Sequence, residues 1–512
     1  GVYTAGKPPL SESLQRSSET STMRWLPPPD EGAKQPSKRY GCSAVGIDSR
    51  VLCFGGTQGS APNNELWLLE VGQSGKVEWK QPQVRGVAPS PRAAHTASLL
   101  APPGRAATHM VVFGGAEADG FVLFDDASFL SLYPPEADGK GPQLIFRSEI
   151  EASVDAAENV TITHLQPREH ALGRPLSLEW VAPRVARDRC EEAEPAWPAP
   201  RQAHAAAALF DGRLLVHGGW GSSYTQFGDA WVLDTEAALG GALAASPWSP
   251  LDATGTPPPP SAGHRAATVG LRVVLAGGEL GDAPWVLDAS TMAWTTLGGR
   301  DGLRRSFHGA VALGRRLLIH GGTDADTDSA LDDALVVPTD AGAGGDGAET
   351  QTASDGAPGG VIARGGGRPP AARSLHAVAR VGTRLAFIGG KGGRHGLAMA
   401  EESADETARR LAEEAELVDE IRGLLRRMQA AAKKDAKRDK ATAAAEKAAA
   451  AAEKAAAESA AAKAARDAEL KRRGDEALRK EQEEARRKKL AEEEARKAAS
   501  LRTGGGFKLE PK

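Results

Sequence analysis

The chain has 512 residues and a formal net charge of −4 at pH 7, and this length allows two or three domains. Its three cysteines are too few for a disulfide framework and are typical of a reducing compartment. No apolar run reaches the roughly 18 residues of a membrane-spanning helix, and the charge balance does not favour nucleic-acid binding. We therefore expect a cytoplasmic protein without membrane contact, with a flexible segment at residues 1–22.

Six Gly-Gly pairs divide the first 390 residues, and each pair directly follows a short aliphatic or β-branched run. The pairs are Gly55 and Gly56, Gly114 and Gly115, Gly218 and Gly219, Gly277 and Gly278, Gly321 and Gly322, and Gly389 and Gly390. A strand that ends in two glycines and recurs at intervals of very roughly 50 residues is typical of a propeller blade. Glycine suits the sharp turn there because it adopts a positive φ without a Cβ clash.

An arginine, a histidine and a tryptophan recur around these glycines. In the last three repeats, His264, His308 and His376 stand thirteen residues before the first glycine. An arginine precedes the histidine position by three residues in most repeats, as Arg92, Arg201, Arg305 and Arg373 show. Two repeats depart from the pattern, with Cys42 at the histidine position of the first and Ser261 at the arginine position of the fourth. We expect the arginines and histidines to bond backbone carbonyls rather than to catalyse a reaction.

Residues 23–400 resemble the kelch repeat in these combined features. The resemblance implies an all-β propeller of six blades, each with four antiparallel strands. It also implies a protein that binds other proteins through its loops. We expect no catalytic residue, no metal and no cofactor.

Counting strands predicts how the ring closes. Five repeats have four strands, whereas the sixth ends after three, near Met399. An isolated strand with the fourth-strand tryptophan, Trp25, precedes the first repeat, so residues 23–30 are expected to complete the last blade and remove its open edge. Insertions are expected at about residues 134–176 and 340–360.

A long charged helix is predicted for residues 401–503, which are rich in Ala, Glu, Lys and Arg and contain no proline. Ser403 followed by Glu406 reads as a capping box at its start. A heptad spacing predicts a coiled-coil seam over 411–428, with Leu411, Val418, Ile421, Leu425 and Met428. The distal half is predicted to be a solitary helix or a helix paired with a partner, and residues 504–512 a flexible C-terminus.

Few residues suggest an enzyme. Asp324, Asp326 and Asp328 have the spacing of the first half of a calcium loop, but Ser329 and Leu335 stand where that loop needs glycine and an acid. No phosphate-binding glycine loop, nucleophile elbow or zinc spacing is present in the sequence.

These features together predict a non-enzymatic scaffold or adaptor. Its propeller loops would bind proteins, and its helix would bridge within a large cytoskeletal or ciliary assembly, with an axonemal location as one option, through a helix partner or self-association over 411–428. The alternatives are a metal-dependent propeller enzyme that uses copper or iron, and an adaptor of the trafficking type.

Overall fold

The structure is a computed structural model of the whole chain. The residues that it describes are 23–26, 34–72, 76–100, 108–117, 122–132, 151–154, 160–164, 176–183, 196–240, 246–299, 301–339, 362–363, 370–392 and 396–502. The predicted segments at residues 1–22, 340–360 and 504–512, most of the insertion at residues 134–176, and Cys190 lie outside them.

Of the sheets that the described strands form, six follow one another along the chain as the blades of a propeller, and the main strands of each blade are antiparallel. From the channel outward, blade one has strands Ser43–Ile47, Arg50–Phe54, Leu66–Val71 and Val77–Lys80. Blade two has Thr96–Leu100, His109–Phe113, Ala127–Ser131 and Leu178–Val181. Blade three has Ala205–Ala208, Leu214–His217, Ala230–Leu233 and Trp248–Pro250. The six-bladed fold class is therefore confirmed.

Blade four has the same four-strand order, and three strands are described from each of the repeats that form blades five and six. Blade four has strands Arg265–Val269, Arg272–Ala276, Trp285–Asp288 and Ala293–Thr296. Blade five has Gly309–Leu313, Arg316–Asp324 and Ala330–Pro338, and blade six has Ala377–Val381, Arg384–Ile388 and Leu397–Glu402. Short strands are Thr57–Gln58, Ala61–Pro62, Val84–Arg85, Arg305–Ser306 and Ile362–Ala363, and a separate hairpin has Glu151–Val154 and Val160–His164.

The outer strand of blade six comes from the start of the described chain. Met23–Trp25 pairs antiparallel with Leu397–Glu402, so that Trp25 lies opposite Ala400. Trp25 is 3% exposed, and its ring packs against Phe387 of the same blade and His320 of blade five. A strand from one end of the propeller sequence thus completes the blade at the other end.

Six residues join the blades in a closed ring of backbone hydrogen bonds, which we call the backbone ring. Each residue directly precedes the repeat histidine or its equivalent and has a φ between 55° and 68°. Each N–H donates to the carbonyl of the ring residue in the preceding blade. The bonds run from Ala94 to Gly41, Ala203 to Ala94, Gly263 to Ala203, Phe307 to Gly263, Leu375 to Phe307 and Gly41 to Leu375, at 2.8–2.9 Å.

The core fills the wedges between neighbouring blades. Trp180 of blade two packs on Phe54 of blade one, with ring centroids 5.2 Å apart. Trp248 of blade three packs on Phe113 of blade two in the same way, at 4.8 Å. In these two blades the outer-strand tryptophan therefore covers the last residue of the second strand in the preceding blade, which explains why both positions recur there.

Two helices are described, the short α1 at Thr235–Gly240 and the long α2 at Ala404–Arg502. The helix α2 begins where the sequence predicts, since Ser403 Oγ accepts the Glu406 backbone N–H at 3.1 Å. The chain divides into two compact units, Gly1–Leu425 and Arg426–Lys512, so the first turns of α2 belong to the propeller unit.

Candidate interaction surfaces of the propeller

The repeat arginines hold the glycine turns from inside. In blades one, two, three, five and six the Nη1 of the arginine donates to the carbonyl of the first glycine in the pair, at 2.9–3.2 Å. These arginines are Arg39, Arg92, Arg201, Arg305 and Arg373, and none is more than 3% exposed. A buried guanidinium that bonds backbone oxygens stabilises the fold.

Both glycines of each pair have a positive φ. In blade two the first glycine lies against the next blade, and the second lies against the segment that leads into its own blade. A Cβ on Gly114 would come within 2.7 Å of the carbonyl oxygen of Arg201. A Cβ on Gly115 would meet the Ala93 carbonyl and the His95 side chain at 2.8 Å. The glycine positions therefore combine the turn geometry with a close approach of two backbones.

The repeat histidines are buried links between blades. His95 Nε2 lies 2.8 Å from Ser43 Oγ of blade one, and His204 Nε2 lies 2.8 Å from Thr96 Oγ1 of blade two. The last blade makes a histidine pair instead, with 3.1 Å between His376 Nε2 and His320 Nδ1. Burial lowers the pKa of His95 and of His320 to about 3, so both rings are neutral at pH 7. Such groups cross-link the fold and are poor general bases near neutral pH.

No group of three or more His, Cys, Asp or Glu side chains in the described part of the chain is arranged to hold a metal ion. In the calcium-like loop, Asp324 Oδ1 accepts hydrogen bonds from the Thr327 backbone N–H and hydroxyl at 2.8 Å. Asp326 pairs with Arg304 at 3.2 Å. Asp324 is therefore hydrogen-bonded within its own turn, and Asp326 is paired with an arginine outside the turn.

The start of α2, residues 404–425, closes one end of the propeller channel. A cavity of about 730 Å³ there is lined by the innermost strands of all six blades and by Leu417, Ile421 and Leu425 of the helix. Alanine is the commonest residue in the propeller part of this wall, which also includes Leu99, Leu209 and Phe210, and the helix adds further large aliphatic side chains. Leu417 is 8% exposed, and a Cβ on Gly270 in blade four would come 2.5 Å from its Cδ2.

Ion pairs surround this apolar contact. Arg315 of blade five donates its backbone N–H to Glu413 Oε2 at 2.8 Å, and its side chain reaches Glu420 at 2.6 Å. Arg316 pairs with Glu406 at 2.7 Å, where the carboxylate side chain is 2% exposed. Burial of both partners keeps solvent from screening such a pair. The acidic face at the start of α2 is therefore complementary to basic residues of the propeller.

The seam residues predicted from the sequence have different surroundings. Ile421 and Leu425 line the channel cavity, and Val418 lies at its edge with 42% of its surface exposed. Leu411 is half-buried, and Met428 is 49% exposed and belongs to the second unit. Leu417, which the heptad pattern does not include, makes the most buried apolar contact of this segment.

The propeller end with the backbone ring has an aromatic patch, formed by Trp220, Tyr224 and Phe307. The Trp220 ring lies 5.6 Å from the Phe307 ring and 6.0 Å from the Tyr224 ring. Tyr224 is 73% exposed and stands on a tight turn in which Ser223 and Tyr224 both have a positive φ. Sequence reasoning missed this patch because its residues do not recur between repeats. Exposed aromatic residues on a rigid turn are typical of a protein-binding surface.

None of the described helices has the length and apolarity of a membrane span.

A family model described as the KLHDC2/KLHL20/DRC7 Kelch-repeats domain matches residues 15–134 and 176–343. The chain is 26% identical over 265 residues to an F-box/kelch-repeat protein of Arabidopsis thaliana, which covers 45% of this chain and 52% of that protein. It is 23% identical over 342 residues to host cell factor 1 of Homo sapiens, over 60% of this chain but 14% of the relative. Acyl-CoA-binding domain-containing protein 5 of Arabidopsis thaliana is 38% identical over 106 residues, 20% of this chain and 15% of that protein.

The chain thus spans about half the length of the first of these relatives and far less of the others. Kelch-repeat families are mostly modules that bind other proteins. With a family model that matches more than half of its residues and six blades in the expected order, the chain belongs to the kelch-repeat family.

Proposed function

We propose that this protein is a non-enzymatic adaptor whose propeller binds another protein at the end that has the aromatic patch. The observation that carries the proposal is the occupation of the opposite channel end by residues 404–425 of the same chain. The end with Trp220, Tyr224 and Phe307 stays accessible, as the 73% exposure of Tyr224 indicates. A partly exposed aromatic group gives a partner a large apolar contact at small entropic cost.

The second half of α2 supports a separate attachment. Every side chain from Lys471 to Lys497 is exposed, including Leu478 and Leu490 at 56% and 50%. Ion pairs such as Glu476 with Lys480 stabilise the helix along its own surface. A helical segment whose side chains from 471 to 497 are all exposed is suited to bridging in a large assembly, and we propose that this assembly is cytoskeletal or ciliary.

Self-association over 411–428 is a competing use of the same residues. Ile421 and Leu425 line the channel cavity, so they would have to leave it before they could form a coiled-coil seam with a second helix. The two arrangements therefore exclude one another, and the oligomeric state of the full chain distinguishes them.

Quantitative co-purification tests the binding surface. Trp220→Ala with Tyr224→Ala should remove a set of proteins that copurify with the wild-type chain. Val87→Ala is a matched control, since Val87 is 89% exposed and is not part of the aromatic patch. An unchanged partner set in the double variant contradicts the proposed surface. Fluorescence imaging of a tagged chain then tests the cytoskeletal or ciliary location.

A further inference from the structure

Arg265 stands just inside the backbone ring, two residues after the ring residue Gly263. It begins the innermost strand of blade four, Arg265–Val269, which has a neighbouring strand on one side only, so its other edge faces the channel. The next residue, Ala266, lines the channel cavity. The side chain of Arg265 therefore starts at the boundary between the ring and the cavity.

The equivalent position in blades one and two links neighbouring blades. Ser43 and Thr96 each have a hydroxyl 2.8 Å from the Nε2 of the histidine in the following blade. Arg265 does not make this link, since both ring nitrogens of His308 in blade five are without a hydrogen-bond partner among the described residues. A structural link between blades therefore does not account for the arginine at this position.

The guanidinium of Arg265 lies near the propeller axis. Burial is the main cause of the lowered pKa of His204, His264, His308 and His376, and the positive charge of Arg265 contributes to it in all four. These histidines belong to blades three, four, five and six. A charge that is close to four blades at once is close to the centre of the ring.

The charge of Arg265 is not balanced by the residues around it. Within the described part of the chain it has no ion pair, and its Nη1 donates to the His264 carbonyl at 3.4 Å, which is long for such a bond. Arg201, by contrast, is paired with Asp229 at 2.7 Å. Burial alone lowers the pKa of Arg265 to about 10, so the group is still charged at pH 7. A charge in such surroundings is costly without a counterion, and an anion gains more there than at the surface.

The guanidinium of Arg265 is accessible from the channel. The residue is half-buried, whereas the repeat arginines are buried. Its Nε and Nη2 have no hydrogen-bond partner in the described structure, and neither atom is fully buried. Both nitrogens can therefore bind a group that enters the channel.

The two ends of the channel limit what can enter. Residues 404–425 of α2 close one end, and the backbone ring frames the other with six residues joined at 2.8–2.9 Å. A small free ion suits a space that is framed in this way better than a polypeptide segment does.

We propose that the channel has a binding site for a small inorganic anion, which bonds the Nε and Nη2 of Arg265 just inside the backbone ring. Low-dielectric walls and a single uncompensated positive charge concentrate such an anion there. The site does not depend on the proposed adaptor function, because a free ion is enough to fill it.

Titration calorimetry of sodium phosphate into the full chain at pH 7 tests the site directly. We expect saturable binding of one anion per chain, and a Tm that rises by about 2–4 °C when phosphate replaces gluconate, a bulky anion, at equal ionic strength. Chloride is the second arm, since a guanidinium binds an oxyanion through two parallel hydrogen bonds and a halide without that fit. A stronger response to phosphate identifies an oxyanion site, and a stronger response to chloride identifies a halide site.

Substitutions at Arg265 separate the site from general effects of salt. Arg265→Gln should remove the saturable response to both anions, whereas Arg265→Lys keeps the charge and should retain a weaker one. Arg304→Gln is the matched control, because Arg304 is exposed and paired with Asp326 at 3.2 Å, and it should respond as the wild-type chain does. Absence of saturable binding of either anion to the wild-type chain overturns the proposal. An undiminished response in Arg265→Gln also overturns it, because the anion then acts elsewhere.

Discussion

The rings of Trp25 and Phe387 lie with their centroids 5.0 Å apart, although they stand near the two ends of the propeller sequence. Trp25 also packs edge-on against His320 of blade five, so one side chain joins the last two blades. A three-residue strand thus completes the last blade, and one tryptophan adds to the contacts that close the ring.

Trp25→Ala should destabilise the propeller strongly, because it removes a buried aromatic side chain and leaves a cavity beside Phe387. We expect a loss of about 3–5 kcal/mol in the free energy of unfolding. Chemical denaturation monitored by tryptophan fluorescence or circular dichroism measures it. Tyr224→Ala, at an exposed position, is the control and should cost far less. A similar loss in both variants would show that the strand does not close the ring.

A side chain placed at one of the glycine turns should also destabilise the propeller. Gly114 has a φ of 62°, and a Cβ there would come 2.7 Å from the Arg201 carbonyl oxygen. Gly114→Ala should therefore cost at least about 2 kcal/mol from backbone strain and the displaced neighbouring blade. Gly298→Ala, where a Cβ meets nothing within 4 Å, should leave the Tm nearly unchanged. Equal melting temperatures for the two variants would rule out this role for the pair.

Acid should unfold the propeller steeply. Burial lowers the pKa of eight described histidines, His95, His109, His204, His217, His264, His308, His320 and His376. The unfolded chain binds protons near pH 6.5, where the folded chain does not, so stability is complete above that pH and falls as the pH decreases below it. Each histidine contributes a slope of about 1.4 kcal/mol per pH unit in that range.

One variant checks the origin of the acid response. Both ring nitrogens of His308 are buried without a hydrogen-bond partner in the described structure. His308→Gln should reduce the slope of unfolding free energy against pH by about 1.4 kcal/mol per pH unit between pH 5 and 6. Urea titrations at several pH values give that slope. An unchanged slope would assign the acid response to other groups.

Because the start of α2 packs on the channel end, we expect its backbone amides to be protected from hydrogen exchange. Amide hydrogens over 404–425 should exchange slowly in the wild-type chain, and Leu417→Asp should increase their exchange rate at least about tenfold by placing a charge in the apolar contact. Hydrogen exchange with mass spectrometry measures both segments of the helix. Leu470→Asp, at a side chain that is 61% exposed, is the control and should leave 404–425 protected.

Self-association through the predicted seam and docking of the same segment on its own propeller lead to different expected masses. If a second chain binds over 411–428, Val418→Asp with Leu425→Asp should convert dimers to monomers in light scattering. If the segment stays on its own propeller, the wild-type chain is already a monomer and the double variant loses only protection of residues 404–425. The mass of the wild-type chain decides between them.

Much of the architecture could be read from local patterns. The six glycine pairs predict six blades because a strand and its turn are specified by adjacent residues. Ser403 marks the start of the long helix through a hydrogen bond only three residues long. The strand at Trp25 could be assigned to the last blade because an incomplete repeat needs one more strand.

The sequence by itself determined the number of blades and the presence of a long helix after them, since both depend on short-range chemistry. The tertiary structure decided which helix face is buried, where Leu417 rather than the heptad residues makes the main contact with the propeller. It also decided that Arg373 Nη2 is buried without a hydrogen-bond partner among the described residues. These properties depend on residues that are brought together only when the blades close into a ring, and spacing along the chain does not encode that arrangement.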